Sequence, residues 1–134
     1  MRRPLDAGIL ALTLVLALAS PACQKSDDDE FAGTYVGDGI DSQDSSNRKQ
    51  FTLNLGASGT TVSGTYQLKA IILDVNGIVN GTLTGSEVSL VLTPTANDCP
   101  YRVNGVWAGG RITGTYAAFN CFVRSDGTLN LKKK

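Results

Sequence analysis

The 134-residue sequence contains no histidine. That removes the commonest general base and the usual zinc ligand. Three cysteines are present, Cys23, Cys99 and Cys121, and two of them without histidine make a poor metal set. A cysteine nucleophile would need a free thiol beside a base, and the sequence offers neither. No Gly-x-Ser-x-Gly and no phosphate-binding loop occurs. The acids lie in turns and loops rather than paired in a strand-lined cleft, which argues against glycosidase-type chemistry. Catalytic residues, cofactors and a metal are therefore not expected. Charge excess is also missing, with twelve basic against twelve acidic side chains. Nucleic-acid binding rests on clustered Lys and Arg, so that partner is excluded. No apolar run reaches the ~20 residues that span a bilayer as a helix. Helical periodicity is absent after the first two dozen residues.

What is present begins with an address. Arg2 and Arg3 precede an apolar run from Gly8 to Ala19, then Ser20-Pro21-Ala22-Cys23. A basic head, a short apolar centre and small residues before a cleavage point describe an export signal over residues 1–22. The segment Leu18-Ala19-Ser20-Pro21-Ala22-Cys23 resembles the lipobox of bacterial lipoproteins, with Ser20 where leucine is usual. The resemblance implies lipidation of Cys23, which becomes the N-terminus and the membrane anchor. Ordinary signal peptidase cutting after Ala22 or Ala19, giving a periplasmic or secreted protein, is the alternative. Residues 23–30 read as the lipidated cysteine and a charged tether, since Gln24 to Glu30 is polar and cannot form a core. With Gln24 rather than aspartate after the cysteine, the lipoprotein resemblance implies an outer-membrane destination. Lys132-Lys133-Lys134 reads as a solvated basic tail.

Residues 31–134 form one domain, written in one repeated phrase. Phe31-Ala32-Gly33-Thr34-Tyr35 recurs as Val62-Ser63-Gly64-Thr65-Tyr66 and as Val79-Asn80-Gly81-Thr82-Leu83. It returns as Val103-Asn104-Gly105-Val106-Trp107 and Ile112-Thr113-Gly114-Thr115-Tyr116. Period-two alternation with Thr and aromatics is a strand signal. Apolar residue, Gly and aromatic share the inward face, and inward Gly permits tight coiling of a sheet.

Turn motifs propose the registers. Gly85-Ser86 pairs Leu83 with Val88, and Gly109-Gly110 pairs Trp107 with Ile112. Asn76-Gly77 pairs Val75 with Ile78 and Ile72 with Gly81. Asp126-Gly127 pairs Ser125 with Thr128 and Phe122 with Leu131. Eight strands follow, near Phe31–Gly37, Gln50–Leu55, Thr60–Val75, Ile78–Thr84, Glu87–Thr93, Tyr101–Ala108, Arg111–Arg124 and Thr128–Lys132. Short links make each pair antiparallel neighbours. The expected fold is all-β, an eight-stranded antiparallel up-and-down barrel, with a two-sheet sandwich as the alternative. In strand rhythm the domain is similar to the small lipocalin-like (calycin-type) barrels of bacterial lipoproteins. That resemblance implies a long first loop, here Asp38–Asn47, over the barrel mouth.

Extending the Gly109-Gly110 hairpin past its strands brings Cys99 within one place of Cys121, and an exported pair of cysteines is expected to form a disulfide. Tyr35, Phe51, Tyr66, Trp107, Tyr116 and Phe122 face inward in these registers and either line a ligand pocket or fill the core. Asp38, Asp41 and Asp44 make a calcium loop conceivable, though a hydrated loop is the plainer reading. Around Ala70–Val75 both strand faces are apolar. Ile71, Leu73, Val75 and Ile78 therefore form either a partner surface or a locally twisted part of the core. Two functions follow: an envelope lipoprotein binding a small apolar ligand in or on its barrel, or a filled barrel serving as a protein-interaction or envelope-assembly module.

Overall fold

The computed structural model describes residues 27–96 and 98–134. The expected export signal, Cys23 and most of the expected tether lie outside them. A short helix, α1 (Asp27–Phe31), leads into eight strands. These are β1 (Gly33–Asp41), β2 (Arg48–Ser58), β3 (Thr61–Ala70), β4 (Leu73–Thr84), β5 (Glu87–Pro94), β6 (Tyr101–Ala108), β7 (Arg111–Ala118) and β8 (Asp126–Lys133). Each strand pairs antiparallel with the next, and β8 closes on β1 through Gly37↔Leu131 and its neighbours. The result is a closed up-and-down barrel without sheet edges, and the sandwich alternative falls away.

Period-two patterning builds the core directly. On β2 Phe51 and Leu53 are buried while Gln50 and Asn54 face water. On β5 Val88, Leu90 and Leu92 are buried. Burying each such aliphatic side chain stabilises the fold by ~1.5–3 kcal/mol. The repeated glycine sits on this inner face. A Cβ added to Gly64 would overlap the carbonyl oxygen of Asn54, the residue before its partner Leu55. The same relation holds for Gly81 with Ser89, Gly105 with Thr113 and Gly114 with Asn104. Gly37, Gly77 and Gly127 obey it as well, against Asn130, Thr93 and Ile40. Side chains crowd the concave side of a tightly closing sheet, so backbone can approach backbone only where a side chain is missing.

Two of the four proposed turns are as the sequence suggests, at Gly85-Ser86 and Gly109-Gly110. The other two are not turns. Gly77 lies inside β4, opposite Tyr66 on one side and Pro94 on the other. The β3–β4 reversal is at Ile71-Ile72, so Val62 and not Ile72 faces Gly81. Likewise Gly127 lies inside β8 opposite Tyr116, and Ile112 rather than Phe122 faces Leu131. Both misread glycines serve close strand approach instead of chain reversal. The reversal at Ile71-Ile72 also explains the two-faced segment. Crossing a two-residue turn shifts the inward parity, so Leu73 and Val75 turn toward the core.

The alternating topology gives the barrel two ends. The β2–β3, β4–β5 and β6–β7 turns lie at the base, with the start of β1 and the end of β8. The base is plugged by α1. Phe31 is fully buried, its carbonyl accepts the Tyr35 hydroxyl at 2.6 Å, and its ring meets Trp107 edge-on at 5.4 Å. Lys133 Nζ donates to Glu30 O at 2.6 Å and ties the last strand to the plug. The end of the presumed tether is thus helical, with Asp29 and Glu30 exposed. The other four connections form the mouth.

Candidate functional site at the barrel mouth

Five of the six inward aromatics are where the sequence puts them. Tyr35, Phe51, Tyr66 and Tyr116 are buried, and Trp107 packs half-buried against the core. Tyr35 and Trp107 both pack against the Phe31 ring, at 5.8 and 5.4 Å. Phe51 and Tyr116 lie 5.3 Å apart, and Tyr116 and Tyr101 lie 6.0 Å apart. The sixth, Phe122, is fully exposed in the loop between β7 and β8, because β7 ends at Ala118 and the register that turned Phe122 inward does not form.

Toward the mouth the interior becomes polar. Lys49 precedes Phe51 by two residues and Asp41 follows Gly39 by two, so both point inward from strand ends. They are 3.4 Å apart, each with only 5% of the side chain exposed. Asp41 Oδ1 accepts the Gln43 N–H at 2.9 Å, and Asp41 Oδ2 accepts the Ser125 hydroxyl at 3.4 Å. The Tyr101 hydroxyl in turn donates to Ser125 Oγ at 3.3 Å. The Gln43 N–H, then Lys49 and Ser125, hold the Asp41 carboxyl below the usual carboxylate range against the opposing effect of burial. Lys49 also lies 5.9 Å from the Tyr116 ring centre. Burial pushes the Tyr66 hydroxyl up to about 12, with Asp98 and Tyr101 adding to it. Tyr116 is raised further, by burial first and then by Asp41. Neither of these two hydroxyls has a hydrogen-bond partner among the described residues.

This buried pair corrects the expectation that acids keep to turns and loops. The signal was legible: carrying period two back from Phe51 and forward from Tyr35 turns Lys49 and Asp41 inward. The possible calcium loop dissolves for the same reason. Asp38 pairs with Arg48 at 3.3 Å, Asp41 turns into the barrel, and Asp44 accepts the Ser46 N–H and hydroxyl. The connection over the mouth is also shorter than the resemblance implied, residues 42–47, because β1 runs on to Asp41.

Cys99 and Cys121 are bonded, with Cα atoms 5.6 Å apart. The bond joins the β5–β6 and β7–β8 connections. Beside it a cleft of about 110 Å³ is lined by Leu73, Val75, Asp98, Cys99, Tyr101 and Val123. Of the four suspected surface residues, Val75 is core and Leu73 packs half-buried against the core. Ile78 is half-exposed on the outer barrel wall, and Ile71 is almost wholly exposed. Its neighbour Ile72, which sequence reasoning turned inward, is 96% exposed. Two apolar tips therefore project from the mouth: Ile71-Ile72 on the β3–β4 turn and Phe122-Val123 on the β7–β8 loop. No protein-family model, no curated protein and no solved structure matches the chain.

Proposed function

We propose that this protein is a non-catalytic envelope lipoprotein whose filled barrel is a rigid stand for a protein-docking surface at its mouth. The observation that carries the reading is the pair of apolar tips, Ile71-Ile72 and Phe122-Val123, at one end of a barrel whose aromatics are packed inside. Large apolar side chains at loop tips contribute nothing to the core and are disfavoured in water, which is the mark of an interaction site.

Chain direction supports a partner beyond the anchoring membrane. If Cys23 carries lipid, the four steps from Cys23 to Asp27 span at most ~14 Å. The chain then enters the barrel at the base, through α1. Strands of eight residues or more, tilted as in small barrels, place the mouth ~20–25 Å farther from the anchor. The tips then face away from the anchoring bilayer, toward an envelope protein.

The test is crosslinking in the native envelope, from a photoreactive residue at position 72 or 122 and, as control, at exposed Ser63 on the barrel wall. One discrete crosslinked partner from the two tips and none from the control supports the reading. No product from either tip overturns it. A second reading, a small apolar ligand with a polar head bound at the mouth, is favoured by the unpartnered hydroxyls of Tyr66 and Tyr116. Native mass spectrometry of membrane-extracted protein tests it by a retained mass. The same spectrum tests lipid on Cys23.

A further inference from the structure

Residues 119–125 lie as a strap over the mouth, between β7 and β8. Both feet of the strap are fastened by the barrel itself. At the first, the Phe119 N–H donates to Pro100 O at 3.1 Å and the Arg102 guanidinium stacks 4.2 Å from the Phe119 ring centre. At the second, the Ala118 N–H donates to Ser125 O at 2.7 Å, and Ser42 donates through N–H and hydroxyl to Asp126 O. Ser125 also donates its hydroxyl to the buried Asp41. The middle is different. Asn120 takes a left-handed conformation with φ of 50°, and Cys121, Phe122, Val123 and Arg124 are all exposed. This stretch is held by the disulfide to Cys99 and by the exposed ion pair of Arg124 Nε with Asp126 Oδ1 at 3.3 Å, while Val123 borders the cleft beside Leu73 and Val75.

We infer that the Cys99–Cys121 disulfide is a redox-operated clasp that fixes the Phe122-Val123 tip, and that its reduction frees the strap while the barrel stays closed. The inference rests on the docking reading for its purpose but not for its mechanics. The bond joins positions just beyond the ladder that runs from Tyr101↔Ala118 to Ala108↔Arg111. That ladder already holds the two strands together, so the bond adds little that the closed sheet lacks. Cys121 is exposed, so a dithiol can reach it. The step is a disulfide exchange. The Cys99–Cys121 bond breaks and takes up two electrons and two protons from an external dithiol, whose own sulfurs become the disulfide. With the clasp open, Phe122 and Val123 are no longer held in fixed relation to Ile71 and Ile72, and a partner that needs both tips loses one of them.

Trypsin reports on the clasp without knowledge of any partner, because Arg124 is inside the strap while Lys69 and Arg111 flank barrel turns. The lipid-extracted protein is digested oxidised, after dithiothreitol, and as the Cys99→Ser/Cys121→Ser variant, with circular dichroism in parallel. The clasp predicts cleavage after Arg124 at least tenfold faster in both reduced and variant protein, unchanged rates after Lys69 and Arg111, and an unchanged β spectrum. Equal rates after Arg124 in all three samples overturn it, because the strap is then held without the bond. Equal acceleration at all three sites with loss of the β spectrum also overturns it, because the bond is then a staple of the whole fold. Failure of the crosslinking experiment with a positive trypsin result would refute docking and leave the clasp standing.

Discussion

Gly64→Ala puts one methyl group on the inner face of β3, where the Asn54 carbonyl oxygen already occupies its place and Leu55 Cα is 3.2 Å away. All the obstructing atoms are backbone, so no side chain can rotate aside. Overpacking a filled site costs ~1–3 kcal/mol, and the rigid neighbours put this substitution at the top of that range. For a domain of about a hundred residues, ~3 kcal/mol lowers the melting temperature by about 10–20 °C. Gly56→Ala is the matched control. It lies on the neighbouring strand, and its new methyl would meet only Ser63 O at 3.9 Å, an ordinary contact. Restricting the unfolded chain there should stabilise by ~0.5 kcal/mol or leave stability unchanged. Thermal melts followed by circular dichroism compare the two variants with the parent. A Gly64→Ala protein melting within about 2 °C of the parent would refute the account of the inward glycines. An equal loss in both variants would show that any alanine in these strands is harmful, and would refute it too.

Asp41→Asn leaves Lys49 buried without its counter-ion and is expected to cost ~3–5 kcal/mol, while the double change Asp41→Leu with Lys49→Met should recover most of that loss in urea titrations. Because the Asp41 carboxyl is held low in the folded state, its contribution is complete above the unfolded value of ~4 and is lost as pH falls through the folded value; melting temperature against pH should therefore drop more steeply below pH ~4 in the parent than in Asp41→Asn. All four tyrosines are raised by burial, Tyr66 to about 12, so they contribute stability that is complete below pH ~10 and lost as pH rises toward 12. Tyrosinate absorbance should accordingly appear together with unfolding, and a separate titration near pH 10 in folded protein would contradict this. Phe31→Ala unplugs the base and is expected to cost ~3–5 kcal/mol and to red-shift Trp107 fluorescence. Ile72→Ser should leave the melting temperature within a degree or two, whereas Leu73→Ser, one residue on, should lower it clearly.

The barrel was legible in the sequence because a sheet wet on one side must alternate with period two, and that period is local. The phrase around Gly64, Gly81, Gly105 and Gly114 gave the inward face, and Gly85-Ser86 and Gly109-Gly110 gave two registers. The disulfide followed from one of those registers carried past its strands to Cys99 and Cys121. The same alternation, carried through charged residues as strictly as through apolar ones, puts Asp41 and Lys49 on the inward face.

What only the tertiary structure decided is the use made of Gly77 and Gly127. Asn-Gly and Asp-Gly are strong turn formers in isolation, and each sits where a hairpin would fit. Yet Gly77 serves three strands at once, with Tyr66 on one side and the backbone of Thr93 and Pro94 on the other. Gly127 does the same between Tyr116 and Ile40. A glycine required by the curvature of the closed sheet and a glycine required by a turn look alike in one dimension, because the requirement comes from strands distant in the chain. Placing both glycines in the wall moved each reversal away from them, to Ile71-Ile72 and to the loop carrying Phe122-Val123. The apolar tips at the mouth are thus a consequence of barrel closure. Local alternation determined which residues make the wall, and closure determined where the chain leaves it.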